Sequence, residues 1–280
     1  MFQKINNSWE LVKTSARVLG KDKELIIFPI ISGIALFLVS LTFMIPMFMT
    51  GFLESLSESF EIIGIVVLFL FYVVQYTVMF FFNTALVGAA MIRLNGGDPT
   101  VGDGFRIAFS RFSTIIGYAL IAATVGVLLK TISEKSKGLG RAIISMIGLA
   151  WNIATFLVVP VLAVEKVGPF DAVKRSVALL KKTWGEQIVG NLGLGAFFGL
   201  VTFLVIIVFV GAAVGLTIWL ESALPAIIIG IALVLILVGI NLVQSTLNGV
   251  YTAAVYQYAT GAQRTSEFAP ELVEGAFRAQ

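Results

Sequence analysis

Six long apolar runs constrain this chain more than any other feature in it. They cover about residues 25–50, 62–94, 113–130, 142–164, 187–216 and 223–258. A helix needs roughly 20 predominantly apolar residues to cross a bilayer, and each run meets or nearly meets that length. The second, fifth and sixth exceed it, so they must tilt, bend or continue as helix beyond the hydrocarbon. Pro29, Pro46, Pro160 and Pro225 sit inside or at the ends of the runs and are candidate kinks. The chain therefore reads as an all-α, polytopic membrane protein with six transmembrane helices.

Composition agrees with that class and removes several chemistries. Of the 280 residues, 58% are hydrophobic and only 12% charged, about half the charged share of a soluble domain. There is no Cys and no His. Disulfide frameworks, thiol nucleophiles, His bases and Cys/His metal sites drop out together. No cofactor is expected, and the chain reads as a non-enzyme. The net charge of +3 comes from cations grouped in loops, which speaks to topology and lipid rather than nucleic acid. The first 24 residues are too polar for the apolar region of a signal peptide, so no cleavable segment is expected.

The distribution of Lys and Arg sets the orientation. Lys4, Lys13, Arg17, Lys21 and Lys23 precede the first run, and Arg93, Arg106 and Arg111 follow the second. Lys166, Lys174, Arg175, Lys181 and Lys182 follow the fourth, and Arg264 and Arg278 lie in the tail. Residues 51–61 carry three Glu and no cation. This bias places both termini in the cytoplasm. Only the connection with Lys130, Lys135, Lys137 and Arg141 runs against it.

The stretch VGPFDAVKRSVALLKKTWG, residues 167–185, is a basic amphipathic helix between two membrane runs. Phe170, Val173, Val177, Leu180 and Trp184 recur at spacings of three and four, and Pro169 suits a first-turn position. Such a helix suits the cytoplasmic interface, with Trp184 at headgroup level and the cations near anionic lipid. Trp9, Val12, Ala16 and Leu19 repeat the spacing, with Lys13 and Arg17 among the cations, and Phe105, Ala108, Phe112 and Ile115 give it again more weakly. Each copy precedes an odd-numbered membrane helix. We therefore expect one membrane domain over 1–280 built from three units, about 5–94, 101–164 and 168–258. Each unit is an interfacial helix followed by a membrane hairpin, and 259–280 forms a cytoplasmic tail.

The segments VVPVLAVEKVGPFDAVKRSVALLKKTWG, SWELVKTSARVLGKDKELIIFPIISG and GGDPTVGDGFRIAFSRF resemble a prokaryotic family of six-helix membrane proteins with no assigned function. That family is similar in repeat pattern to the membrane domain attached to some glycerophosphodiester phosphodiesterases. The second likeness rests on Pro160, Glu165, Gly168, Pro169, Ala172 and Ser176. The resemblance implies a fold and a membrane location. It carries no catalytic residues, since the phosphodiesterase chemistry belongs to a separate soluble domain.

Polar side chains inside the runs are the remaining signal. Asn241, Gln244, Ser245, Asn248 and Thr252 share one face of the sixth run, while Gln75 and Asn83 share a face of the second with Tyr72 and Tyr76. Asn152 and Thr155 lie in the fourth run and Asn191 in the fifth. If the even-numbered helices pack around the repeat axis, these amides converge. They form either a polar path or headgroup pocket, or interhelical hydrogen bonds, the reading the sequence favours. Gly195 with Gly199 and Gly211 with Gly215 place small residues four apart, read first as intramolecular packing and second as a dimer interface. No Asp, Glu, Lys or Arg lies at the centre of a run, which weakens pump and proton-coupled readings. Ser176 and Lys174 make a poor nucleophile and base, because residues two apart on a helix diverge.

Two functions follow as expectations. The first is a non-enzymatic, lipid-interacting or membrane-organising protein with anionic lipid as partner, contacted by Trp9, Lys13, Arg17, Lys174, Arg175, Lys181, Lys182 and Trp184. The alternative is a channel or facilitator for a small solute or ion along Gln75, Asn83, Asn152, Asn241, Gln244, Ser245 and Asn248. A homo-oligomer or a protein partner stays open.

Overall fold

The computed structural model describes residues 17–49, 61–184 and 192–261, and every regular element in them is helical. A 3-10 turn at Lys23–Ile26 leads into α1 (Ile27–Met49), followed by α2 (Glu61–Leu94) and the short α3 (Val101–Ser110). Then come α4 (Phe112–Lys135), α5 (Leu139–Ala154), α6 (Val158–Val164) and α7 (Pro169–Trp184). The last two are α8 (Leu192–Leu220) and α9 (Leu224–Thr260). Six spans are long and apolar enough to cross a membrane: Lys23–Phe48, Gly64–Leu94, Phe112–Lys135, Leu139–Val164, Phe197–Trp219 and Leu224–Thr260. The chain is an all-helical, multi-pass membrane protein.

Of the prolines, Pro160 has the largest effect. It lies in the fourth span, which is split into α5 and α6 at residues 155–157. A proline lacks the N–H that would bond four residues back, and its ring clashes with that carbonyl, here that of Phe156. Pro225 and Pro169 instead sit at helix starts, where no such bond is needed. Pro46 lies within α1 without ending it.

The helices pair as hairpins, α1 with α2, α4 with α5, and α8 with α9. Each hairpin has a tip, where its two long helices meet, and a base, where the short helices attach. Burial is concentrated at the base. Among the residues whose burial is described, the first buried one from the tip is Thr246 in α9 and Phe80 in α2. At 1.5 Å per residue, Leu224 to Thr246 is about 33 Å and Glu61 to Phe80 about 29 Å, close to the hydrocarbon thickness of a bilayer. Tipward of Phe198, no described residue of α8 is buried. Leu204, Ile207 and Val208 on α8 and Ile228, Ile231 and Leu235 on α9 are all exposed. Such surface is intolerable in water and neutral in lipid. The tipward portions of these helices thus suit a lipid surround, and the buried protein core lies toward the base.

That core is formed by α2, α6 and α9, and the short helices α3 and α7 add Ala108, Ala172, Leu179 and Leu180 to it. Ala85, Ala90, Val158, Val161, Val250, Ala253 and Val255 are fully buried. Small residues bring the backbones close. A Cβ on Gly104 of α3 would lie 2.4 Å from the Phe28 ring and 2.8 Å from the Ala85 carbonyl oxygen. Phe81 of α2 meets Phe109 of α3 edge-on at 4.9 Å between ring centroids.

Polar links fasten the base. Asp22 and Arg93 form a two-pronged ion pair, and Arg93 also reaches Asp98 at 2.6 Å. The Gln257 amide donates to Asn95 Oδ1 at 3.1 Å, joining the ends of α9 and α2. The Tyr256 hydroxyl donates to Glu165 at 2.9 Å, joining α9 to the end of α6.

Two expectations are corrected here. The glycines of α8 do not mediate intramolecular packing: Cβ atoms built on Gly195, Gly199, Gly211 and Gly215 meet nothing within 4 Å. The apolar face of α7 is turned from the one its spacing suggested at one member, Phe170, while Val173 and Leu180 do face the core. Ala172, Ser176, Leu179 and Leu180 are its buried positions, while Phe170 is 68% exposed. Small side chains let α7 dock against α6, α9 and α4, and the larger Phe170 is left outside.

Candidate functional site

On α9 the residues Asn241, Gln244, Ser245, Asn248 and Thr252 are spaced by three and four, so they form one stripe. The stripe begins where the apolar run from Leu224 to Ile240 ends, about 25 Å from the tip. It faces Asn83 and Val87 of α2, with Phe156 and Val159 beside the α5–α6 break. Together these groups enclose a groove of about 340 Å³. Its walls come from the second, fourth and sixth spans.

At the basal end of the groove α9 and α2 are in close contact. A Cβ on Gly249 would lie 2.4 Å from Leu86 Cδ2, so only glycine permits this approach. Toward the base, Leu86, Val158, Val161, Leu247 and Tyr251 are buried.

The polar groups divide sharply by partner. The Asn241 amide nitrogen donates to the Leu237 carbonyl at 2.8 Å, and the Thr252 hydroxyl donates to the Asn248 carbonyl at 2.7 Å. Among the described residues, the side chains of Asn83, Gln244, Ser245 and Asn248 have no hydrogen-bond partner. They offer donors and acceptors without a formal charge, and among the described residues no Asp, Glu, Lys or Arg lines the groove.

Gln75 and Asn152 lie elsewhere. Gln75 is about 12 Å tipward of Asn83 along α2, where its amide donates to Ser40 Oγ at 2.8 Å and to the Leu36 carbonyl at 3.4 Å. It fastens α1 to α2. Asn152 is exposed on α5 and does not line the groove.

The basic candidates sit at the base. Arg17, Lys174 and Lys181 are exposed, with Lys174 3.5 Å from Asp171. Arg175 is committed to Glu165, its Nε lying 2.9 and 3.1 Å from the two carboxylate oxygens. That hydrogen-bonded pairing raises the Arg175 pKa further above its ordinary value. Trp9 and Lys13 lie outside the described residues, as do the side chains of Lys182 and Trp184. Ser176 is fully buried and bonded to backbone, which removes it as a nucleophile. The described residues contain no metal-binding cluster of acidic side chains.

Sequence reasoning missed Phe156, Val159 and Gly249 as lining groups. Pro160 was the available signal for the first two, since it predicts a break at Phe156. It also missed the Glu165–Tyr256 and Asn95–Gln257 links, for which Tyr256 and Gln257 at the polar end of the sixth run were the hint.

A family model, described as a family of unknown function (DUF6159), matches residues 62–266. The chain belongs to the DUF6159 family. That match covers α2 through α9 and therefore every wall of the groove. No curated protein matches the chain. The likeness to phosphodiesterase membrane domains consequently rests on the residue pattern alone.

Proposed function

We propose that this DUF6159 protein is a non-enzymatic, lipid-interacting membrane protein whose groove holds the polar part of a lipid. One observation carries the reading: unpartnered amides converge at the depth where hydrocarbon gives way to headgroups. A polar group in hydrocarbon costs free energy unless it is bonded, and here protein partners are missing. A lipid head arriving sideways between the hairpins supplies them.

In this reading the base is cytoplasmic, because it gathers most of the cations, and the resemblance to a prokaryotic family suggests the plasma membrane of a prokaryote. The chain is three repeats of a short helix and a hairpin. Two cases support this, in that α3 and α7 each fold back on the span that precedes them. Arg17 and Lys181, with Lys174 beside Asp171, are exposed there to attract anionic lipid to the same leaflet. We rank the channel reading second, because the residues baseward of the groove, such as Leu86, Val158 and Val161, are buried and apolar.

The test is native mass spectrometry of protein released gently from membrane, comparing wild type with Asn241→Leu/Asn248→Leu. Retained lipid that disappears in the double variant supports the proposal. Equal retention moves the lipid away from the groove. No retained lipid, together with solute flux in proteoliposomes, favours the channel.

A further inference from the structure

Resting on the lipid reading above, we infer that the groove selects an uncharged, hydroxyl-rich head, the glycerol or single sugar of a neutral lipid, over an anionic phosphate. The inference begins with one face of α9. Val234 and Val238 are exposed there, at 59% and 51%, and the same face continues at sevenfold spacing into Asn241, Ser245 and Asn248. Apolar surface passes into hydrogen-bonding surface along a single helix line. An amphiphile with acyl chains toward the tip and a polar head toward the base has this profile.

The chemistry of the head follows from the lining. Asn and Gln each present a donor pair and an acceptor, and Ser presents both on one oxygen. A hydroxyl has the same dual character. A phosphate has acceptors only, and its charge finds no cation among the lining groups. The nearby base carboxylate and guanidinium, Glu165 and Arg175, already satisfy each other. Placing an uncompensated charge in a partly desolvated site is strongly unfavourable. Size agrees as well: a groove of about 340 Å³ has room for a glycerol or one sugar ring.

The experiment uses the full chain in nanodiscs of zwitterionic phospholipid. The discs are doped at equal fractions with diacylglycerol, monoglucosyl-diacylglycerol or phosphatidylglycerol, and retained lipid is read by native mass spectrometry. Free glucose and free glycerol are added in parallel. At least one neutral lipid is expected to be retained about tenfold over phosphatidylglycerol. That preference should vanish in Asn248→Leu and Asn83→Leu. Neither variant removes a hydrogen bond within the protein, so both should elute and melt as wild type does. If phosphatidylglycerol is preferred and the variants lose it, the lipid reading stands and the neutral-head inference falls. Binding of free sugar or glycerol as strong as that of the lipid-borne form overturns the lipid source. Retention of no lipid overturns both readings.

Discussion

The Ser176 hydroxyl on α7 donates to the Ala154 carbonyl at 2.7 Å and accepts from the Leu157 N–H at 3.1 Å. One side chain thus satisfies a carbonyl that ends α5 and an amide that starts α6. Pro160 creates the break and Ser176 repairs its polarity. Ser176→Ala leaves both backbone groups buried without that partner and should destabilise the protein by about 1–3 kcal/mol. Pro160→Ala lets the fourth span rejoin, so the same serine substitution made on that background should cost measurably less. Unfolding in mixed detergent, read as a double-mutant cycle, decides it, and additive losses would refute the coupling.

Arg93 and Asp22 form the most buried ion pair described, with side chains 21% and 7% exposed. Arg93→Ala strands the Asp22 carboxylate and should cost roughly 3 kcal/mol, the low end for a buried pair, because Arg93 keeps some solvent contact. Arg93→Lys should recover only part of this, since an ammonium cannot grip both oxygens as a fork. Asp22→Asn/Arg93→Met should be milder than Arg93→Ala alone. Thermal unfolding of the three variants in nanodiscs checks the order.

At the start of α3 the Thr100 hydroxyl accepts from the Asp103 N–H at 3.2 Å, and the Asp103 carboxylate accepts from the Thr100 N–H at 3.0 Å. Hydrogen bonds from the Thr100 hydroxyl and backbone, helped by Arg106, hold the Asp103 pKa below its ordinary 3.8. A carboxylate with a lowered folded pKa stabilises fully above its unfolded pKa, and that contribution fades as pH falls through the folded value. Stability from this cap should therefore be flat between pH 5 and 8 (about the physiological window) and decline only in acid. Asp103→Asn should remove the acid decline, and Thr100→Ala should cost about 1 kcal/mol at neutral pH. Helix content followed against pH and denaturant tests both.

Gln75 and Asn248 are both membrane-level amides, yet opposite outcomes are expected from the same substitution. Gln75→Leu breaks the bond to Ser40 and should cost about 1 kcal/mol. Asn248→Leu breaks none within the protein and should be neutral or slightly stabilising in lipid-free detergent. Equal losses in the two variants, measured by the same unfolding assay, would mean that Asn248 has a structural partner after all.

The six-residue pattern Pro160, Glu165, Gly168, Pro169, Ala172 and Ser176 shows how motif and role part company. Its members break a helix, bond Tyr256 and Arg175, start α7, pack against the core and bridge the break. Each role concerns the joint between α5, α6 and α7, and none faces the groove. A resemblance resting on these residues transmits architecture and not activity.

The sequence by itself determined the six spans. In hydrocarbon the backbone has no outside partner, so a long apolar run has to be helix whatever its neighbours are. It also determined the polar stripe of α9, because a spacing of three and four fixes a shared face on any helix. The tertiary structure decided which face of α7 turns inward, since Phe170 and Leu180 are equally apolar and only docking distinguishes the large side chain from Ala172. It decided that Gln75 is paired and Asn248 is not, because a partner on another helix lies dozens of residues away in the chain. It decided too that Gly249 is filled against Leu86 while Gly211 faces nothing. Periodicity reports what a helix can present, and what meets it depends on contacts between segments that no local pattern encodes.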